Sequence, residues 1–225
     1  DQSPHRLIAK PAENRMLQLK YGGGVERPLN AALRADIGRR LADAVDDAEP
    51  ALRKDLRDEL VVKHEQKTLA LKHWDLSAEE YATLQTQMAE AQQRLAELGD
   101  ADPLGGEVTS LRSRIAWCQR AADRYEHPLA SVPSEVNVLR LGDVAFVTAG
   151  FEYYLDYGDR IKGRSPAVQT FVVQLASGGT YLPTDRAAAG LSYGAIPASC
   201  KVSPAGGQQI VDEAVAILEE MFAAE

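Results

Sequence analysis

Two runs of apolar residues, each stepping alternately by three and four, constrain this chain more than any other feature. The first is Tyr81, Leu84, Met88, Ala91, Leu95 and Leu98; the second is Val108, Leu111, Ile115, Cys118, Ala122 and Tyr125. An apolar residue about every 3.5 positions draws a narrow stripe along a helix, and a matching stripe on a second helix buries it. Between the runs stands Gly99-Asp100-Ala101-Asp102-Pro103-Leu104-Gly105-Gly106, which breaks a helix and reverses the chain. Residues 76–127 are therefore expected to form an antiparallel helical hairpin, an arm packed on a larger body, with Ser77 and Glu80 as the capping box that starts it.

The flanking segments, 1–75 and 128–225, read as an α/β body with a mixed sheet flanked by helices. Pro4 to Leu19 and Leu29 to Ala48 carry helical spacing, the second with Leu33, Ile37, Leu41, Ala44, Val45 and Ala48 on one face and Pro50 just beyond its end. Asp58 to Trp74 has strand character, as one long strand or two short ones. Strands are expected at Glu135 to Leu141 and Val144 to Thr148 around a Gly142-Asp143 turn, and at Gln169 to Ala176. The nearly continuous apolar run of that last segment predicts burial on both faces. Helices are expected over Tyr153 to Gly163, Thr184 to Ala189 and Pro204 to Phe222, with Ser203 as N-cap of the last.

Composition removes several functions. A net charge of −8 with basic and acidic residues intermixed gives no clustered basic face, so nucleic acid is not an expected partner. No stretch reaches the roughly 18 apolar residues of a membrane span, so no transmembrane segment is expected. Cys118 and Cys200 are far apart with no ligand spacing around them, and both read as buried thiols. The first residue is Asp1, which leads us to expect a processed, trimmed or partial chain.

Most familiar chemical motifs are missing. Gly22-Gly23-Gly24 and Gly178-Gly179 lack the Gly-Lys-Ser/Thr ending and the GxGxxG spacing of phosphate loops, and read as turns. His64, Glu65 and His73 lack HExxH spacing, and there is no GxSxG elbow. What remains is a stretch rich in carboxylate and phenol, Gly150-Phe-Glu-Tyr-Tyr-Leu-Asp-Tyr-Gly158, followed by Gly179-Thr-Tyr-Leu-Pro-Thr184 and Leu191-Ser-Tyr-Gly194. On residue type alone, Glu152 and Tyr181 offer half of a metal site. They are equally a helix-start carboxylate and a core aromatic with a bonded hydroxyl.

Asp1-Gln2-Ser3-Pro4-His5 resembles the Gly-Asp-x-Ser-Pro-Asn motif of the neutral, non-lysosomal ceramidase family. Leu139-Arg-Leu-Gly-Asp-Val-Ala-Phe-Val-Thr-Ala-Gly-Phe-Glu152 is similar to that family's strand and turn ending in Pro-Gly-Glu. Phe171-Val-Val-Gln-Leu-Ala-Ser-Gly-Gly-Thr-Tyr181 resembles the strand ending in its ligand tyrosine, and Tyr193 falls where a Tyr-Glu-Gly segment carries another active-site tyrosine. Gly150-Phe151 stands in place of Pro-Gly, Ser177 in place of Asn, and Gly194 in place of Glu.

The resemblance implies a zinc-dependent hydrolase of the amide bond in an N-acyl, sphingolipid-type substrate. It implies Glu152 and Tyr181 as zinc ligands, Ser3 at the amide and Tyr193 at the developing oxyanion. The family's two histidine ligands come from an N-terminal half with no match in these residues. The expected partner is therefore that half of the same protein, and the chain by itself is expected to be incomplete and inactive. The resemblance also implies a secreted or periplasmic location. The alternative is a ceramidase-like scaffold without catalysis, whose helical hairpin docks a protein partner.

Overall fold

Alternating side chains lay down the sheet. Strands β1 (Val62–Leu71), β2 (Val132–Leu141) and β3 (Val144–Thr148) pair antiparallel in sequence order, Val62 opposite Leu141 through Leu71 opposite Val132. The computed structural model describes residues 15–16, 19, 27–99, 105–191 and 193–223, without the side chains at 27–33 and 193. They fall into two compact units, 1–59 and 60–225.

In the second unit, β5 (Gln169–Val173) adds to β3 in parallel, giving the order β1-β2-β3-β5 in a mixed sheet. A parallel neighbour requires a crossover, and this one passes through β4 (Glu152–Tyr153) and helix α4 (Leu155–Arg164). After β5 comes the short helix α5 (Asp185–Ala189), and helix α6 (Pro204–Phe222) and α4 lie on one face of the sheet. Val136, Val138, Ala145 and Val147 from the strands meet Tyr157 and Ile161 of α4 and Ile210, Ala214 and Leu218 of α6, all buried. Ser203 caps α6, its hydroxyl accepting from the Gly206 amide at 3.3 Å, with Pro204 at the first helical position.

Helices α2 (Ala78–Leu98) and α3 (Gly106–Glu126) form the hairpin. Their antiparallel sense is fixed at both ends: the Tyr81 and Tyr125 rings stack at 4.3 Å, and Arg94 meets Glu107 at 2.9 Å. The Ser77 hydroxyl accepts from the Glu80 amide at 3.2 Å while the Glu80 carboxylate accepts from the Ser77 amide at 2.7 Å, a complete capping box. Leu84, Cys118 and Ala121 fill the seam near its base together with Leu76.

Segment 58–74 holds one long strand, β1, the first of the two expected forms, followed by a single bridge from His73 to Val202. Other expectations need correction. Strand β5 is not buried on both faces: Phe171 is 46% and Val173 42% exposed. Its apolar run lies at a sheet edge with helices packed on one side, and Phe171 stacks on Phe146 at 5.0 Å across the other. The helix expected from Tyr153 starts only at Leu155, because Glu152 and Tyr153 are drawn into strand pairing and Tyr154 stays extended.

In the first unit, helix α1 (Arg27–Leu52) runs through Pro50 instead of stopping before it. Pro50 lies in the last turn at an exposed position, where water can serve the Asp46 carbonyl that loses its helical donor. The expected apolar stripe stays open to solvent, Leu41 at 66% and Val45 at 63%, while Asp36 is buried against Arg39 and Arg40. Of the helix expected at Pro4 to Leu19, only Arg15, Met16 and Leu19 are described; all three are helical and exposed.

Candidate functional site

Parallel strands β3 and β5 end side by side, and both exits feed a second, two-stranded parallel sheet of β4 and β6 (Tyr181–Leu182). The carboxyl ends of parallel strands, where connecting loops diverge, are the common location of sites in α/β proteins. The crossing from one sheet to the other is held by main-chain bonds. The Ala149 amide donates to the Val173 carbonyl at 2.9 Å, Ala176 to Ala149 at 3.0 Å and Leu175 to Phe151 at 3.2 Å.

The register of the small sheet sets Glu152 directly opposite Tyr181, and Tyr153 opposite Leu182. The Glu152 amide donates to Thr180 at 3.1 Å and the Tyr154 amide to Leu182 at 3.2 Å. Successive strand residues face opposite ways, and Tyr153 and Leu182 are the buried pair, at 8% and 0% exposure. The inward demand of one phenol and one leucine thus turns the Glu152 carboxylate and the Tyr181 phenol together toward the other, half-exposed side.

Beside Tyr181 lies the short 3-10 turn Tyr193–Ala195. Gly194 presses on the Tyr181 ring so closely that a methyl group there would stand 3.0 Å from Cδ1, 3.1 Å from Cγ and 3.1 Å from the Tyr154 hydroxyl. The turn that carries Tyr193 is thereby seated against Tyr181 by its backbone. Glu152, Tyr181 and the Tyr193 backbone are brought to one place; Ser3 lies outside the described residues.

The remaining tyrosines of the motif divide by role. Tyr153 and Tyr157 stack at 4.7 Å inside the core. The Tyr153 hydroxyl donates to the Gly207 carbonyl at 3.1 Å, and the Tyr157 hydroxyl lies 2.8 Å from the Pro183 carbonyl and 3.0 Å from that of Pro204. Burial pushes both phenols well above their ordinary range, so they serve as protonated donors. Tyr154 is the one that reaches Gly194, a neighbour of the site that its place in the Tyr-Tyr pair does not announce. Gln174, whose side chain accepts from the Tyr153 amide at 3.1 Å, likewise supports the crossing without a sequence signal.

The histidines stand elsewhere. His64, on β1, meets the Asn137 side chain at 3.1 Å, and buried His73 meets Asp75 at 3.0 Å. No group of three or more His, Cys, Asp or Glu able to hold a metal occurs among the described residues. Two surface hollows lie between β1 and α6, with Asp212 and Glu213 in one and His64 and Glu65 in the other, and neither includes Glu152 or Tyr181. No helix of the described residues is long and apolar enough to cross a membrane.

No protein-family model matches the chain, and no curated protein matches it. A solved structure described as "Ceramidase complexed with C2" bears a weak likeness to it, with a TM-score of 0.35 and 20% sequence identity. The likeness covers 42% of this chain and 16% of that one.

Proposed function

We propose that this chain is part of a ceramidase-like, zinc-dependent amide hydrolase acting on an N-acyl, lipid-type substrate. The observation that carries the reading is the pairing of Glu152 with Tyr181 across β4 and β6, with the Tyr193 turn packed beside them. The sequence motifs put these residue types in the order of that family, and the register brings the first two side chains to one face.

As a donor set, a carboxylate and a phenol on adjacent strands suit Zn²⁺, and they make up half of the usual four. The other ligands, two imidazoles, come in this reading from another segment of the same protein. Bound there, zinc would lower the pKa of a water molecule and polarise the amide carbonyl. The residues of this chain have their own tasks. Glu152 supplies negative charge and two acceptor oxygens, and Tyr181 a third oxygen, held by strand pairing and by Gly194 against its ring. Tyr193 donates a hydrogen bond where the amide oxygen gathers charge, and Ser3 acts next to the scissile bond.

Metal analysis and amide-hydrolysis assays on the intact gene product test this. The parent protein should hold zinc, and Glu152→Gln, similar in size but without the charge, should lose most of it together with activity while circular dichroism stays unchanged. Absence of zinc from the parent, or full zinc and full activity in Glu152→Gln, refutes the mechanism.

A further inference from the structure

The segment that seats Tyr193 and Gly194 is gripped from its far side by the helical hairpin. Arg124, in the last turn of α3, sends one guanidinium nitrogen to the Cys200 carbonyl at 2.7 Å, and another to the carbonyls of Pro197 at 3.0 Å and Ala198 at 2.8 Å. These three oxygens crown the 3-10 turn Pro197–Ser199. A planar fork directs fixed N–H groups from two separate nitrogens and so spans carbonyls spread along the turn, whereas the three donors of an ammonium leave from a single point on a flexible stem.

On the near side the same segment is tied to the site. Gly194 rests on the Tyr181 ring and the Tyr154 hydroxyl, the Cys200 thiol reaches the Gly194 carbonyl at 3.5 Å, and the Lys201 amide donates to the Thr180 hydroxyl at 3.2 Å, one residue before Tyr181. Arg124 is itself held firmly. Its helical turn is locked by the stacked Tyr81 and Tyr125 rings and by the Tyr81 hydroxyl, which donates to Glu126 at 2.6 Å. Ala198 packs into the cluster of Leu76, Cys118 and Ala121 at the hairpin base.

The geometry points to Arg124 as a positioning residue, through which the helical hairpin holds the Tyr193–Gly194 turn against Tyr181. The hairpin then acts as a brace for one wall of the candidate site. That the wall belongs to a hydrolytic site rests on the proposed function; that Arg124 sets the turn does not.

The experiment reads the turn directly, in isotope-labelled protein, through the NMR signals of Gly194 and Gly207. Both glycines press on an aromatic ring, Tyr181 and Tyr157 respectively, and so both should be displaced from the ordinary glycine range. Gly207 lies in the main core and serves as the internal control for folding. In Arg124→Gln the Gly194 signal should return toward the ordinary range while Gly207 keeps its displacement. Hydrogen exchange at the Cys200 amide, bonded to Pro197 at 3.2 Å, should quicken by about tenfold or more.

Arg124→Lys keeps the charge without the fork and should behave like Arg124→Gln. An unchanged Gly194 signal in Arg124→Gln, or restoration of the parent signal by lysine, overturns the assignment. So does loss of both glycine signals in both variants, which would make Arg124 a residue of general folding. Zinc content and hydrolysis are measured separately, so failure of the proposed function leaves the spectral result standing, and the reverse holds too.

Discussion

Glycine in the middle of a helix ordinarily weakens it, and replacement by alanine gains about 1 kcal/mol. Gly207 in α6 should do the opposite. A methyl group there would stand 2.9 Å from Cε2 of Tyr157 and closer still to Cζ and the hydroxyl oxygen. The ring has nowhere easy to go: it stacks on Tyr153 at 4.7 Å, and its hydroxyl is fixed between the carbonyls of Pro183 and Pro204. Overpacking of a tight core costs about 1–3 kcal/mol, and pulling the hydroxyl from its acceptors adds about 1 kcal/mol. Set against the helical gain, Gly207→Ala should destabilise by about 2 kcal/mol, or roughly 4–8 °C in Tm for a domain of this size.

Gly158 in α4 provides the contrast, since a methyl group there meets nothing within 4 Å. Gly158→Ala should stabilise by about 0.5–1 kcal/mol. Urea denaturation followed by tryptophan fluorescence reads both variants on the same unit, because Trp74 and Trp117, the two tryptophans of the chain, lie within residues 60–225. If Gly207→Ala is as stable as the parent, the packing of α6 on Tyr157 is not what limits that position and the reasoning fails.

Ser77→Ala removes the hydroxyl half of the capping box and should cost about 1 kcal/mol by the same denaturation assay, with the first turn of α2 exchanging its amide hydrogens fastest. Alkaline pH should weaken the fold through Cys200, whose thiol burial pushes up to about 12 despite the opposing pull of Arg124. The unfolded chain releases this proton near its ordinary value of about 9 while the native state retains it, so stability falls as pH rises between these limits. At pH 11 the loss should be about 2–3 kcal/mol, and Cys200→Ala should flatten that part of the denaturation profile. Unchanged slopes in the variant would refute it.

The hairpin was legible in the sequence because everything that specifies it is local: a heptad stripe, a capping pair and a breaker between two helices. Strands β1 to β3 showed through for a similar reason, alternation over several residues. Burial of β5 did not, because Phe171 and Val173 have the composition of an interior strand, and their exposure follows from its place at the sheet edge. The pairing of Glu152 with Tyr181 is illegible by period, since a two-residue strand has none. Residue type and the family motifs marked those two residues, and neither carried information on register. Arg124 is the extreme case, one charged residue on a helix full of them, distinguished by three carbonyls that lie more than seventy positions away.

Two of the differences from the ceramidase pattern, Gly150-Phe151 and Ser177, look independent along the chain and are a single contact in space. A side chain at 150 would overlap the Ser177 hydroxyl, and one at 179 would strike the backbone carbonyl of Gly150. A residue bearing a Cβ at 150 thus needs a rotated or different side chain at 177, so the choice at one position limits the other. The contact sits in the crossing between the sheets, which delivers Phe151 to the core at 5% exposure just before Glu152. The Glu152–Tyr181 register begins beyond it and depends on main-chain bonds from Glu152 to Thr180 and from Tyr154 to Leu182. The contact of Gly150 with Ser177 thus belongs to the crossing between the sheets, and the pairing of the carboxylate with the phenol is held separately by those bonds.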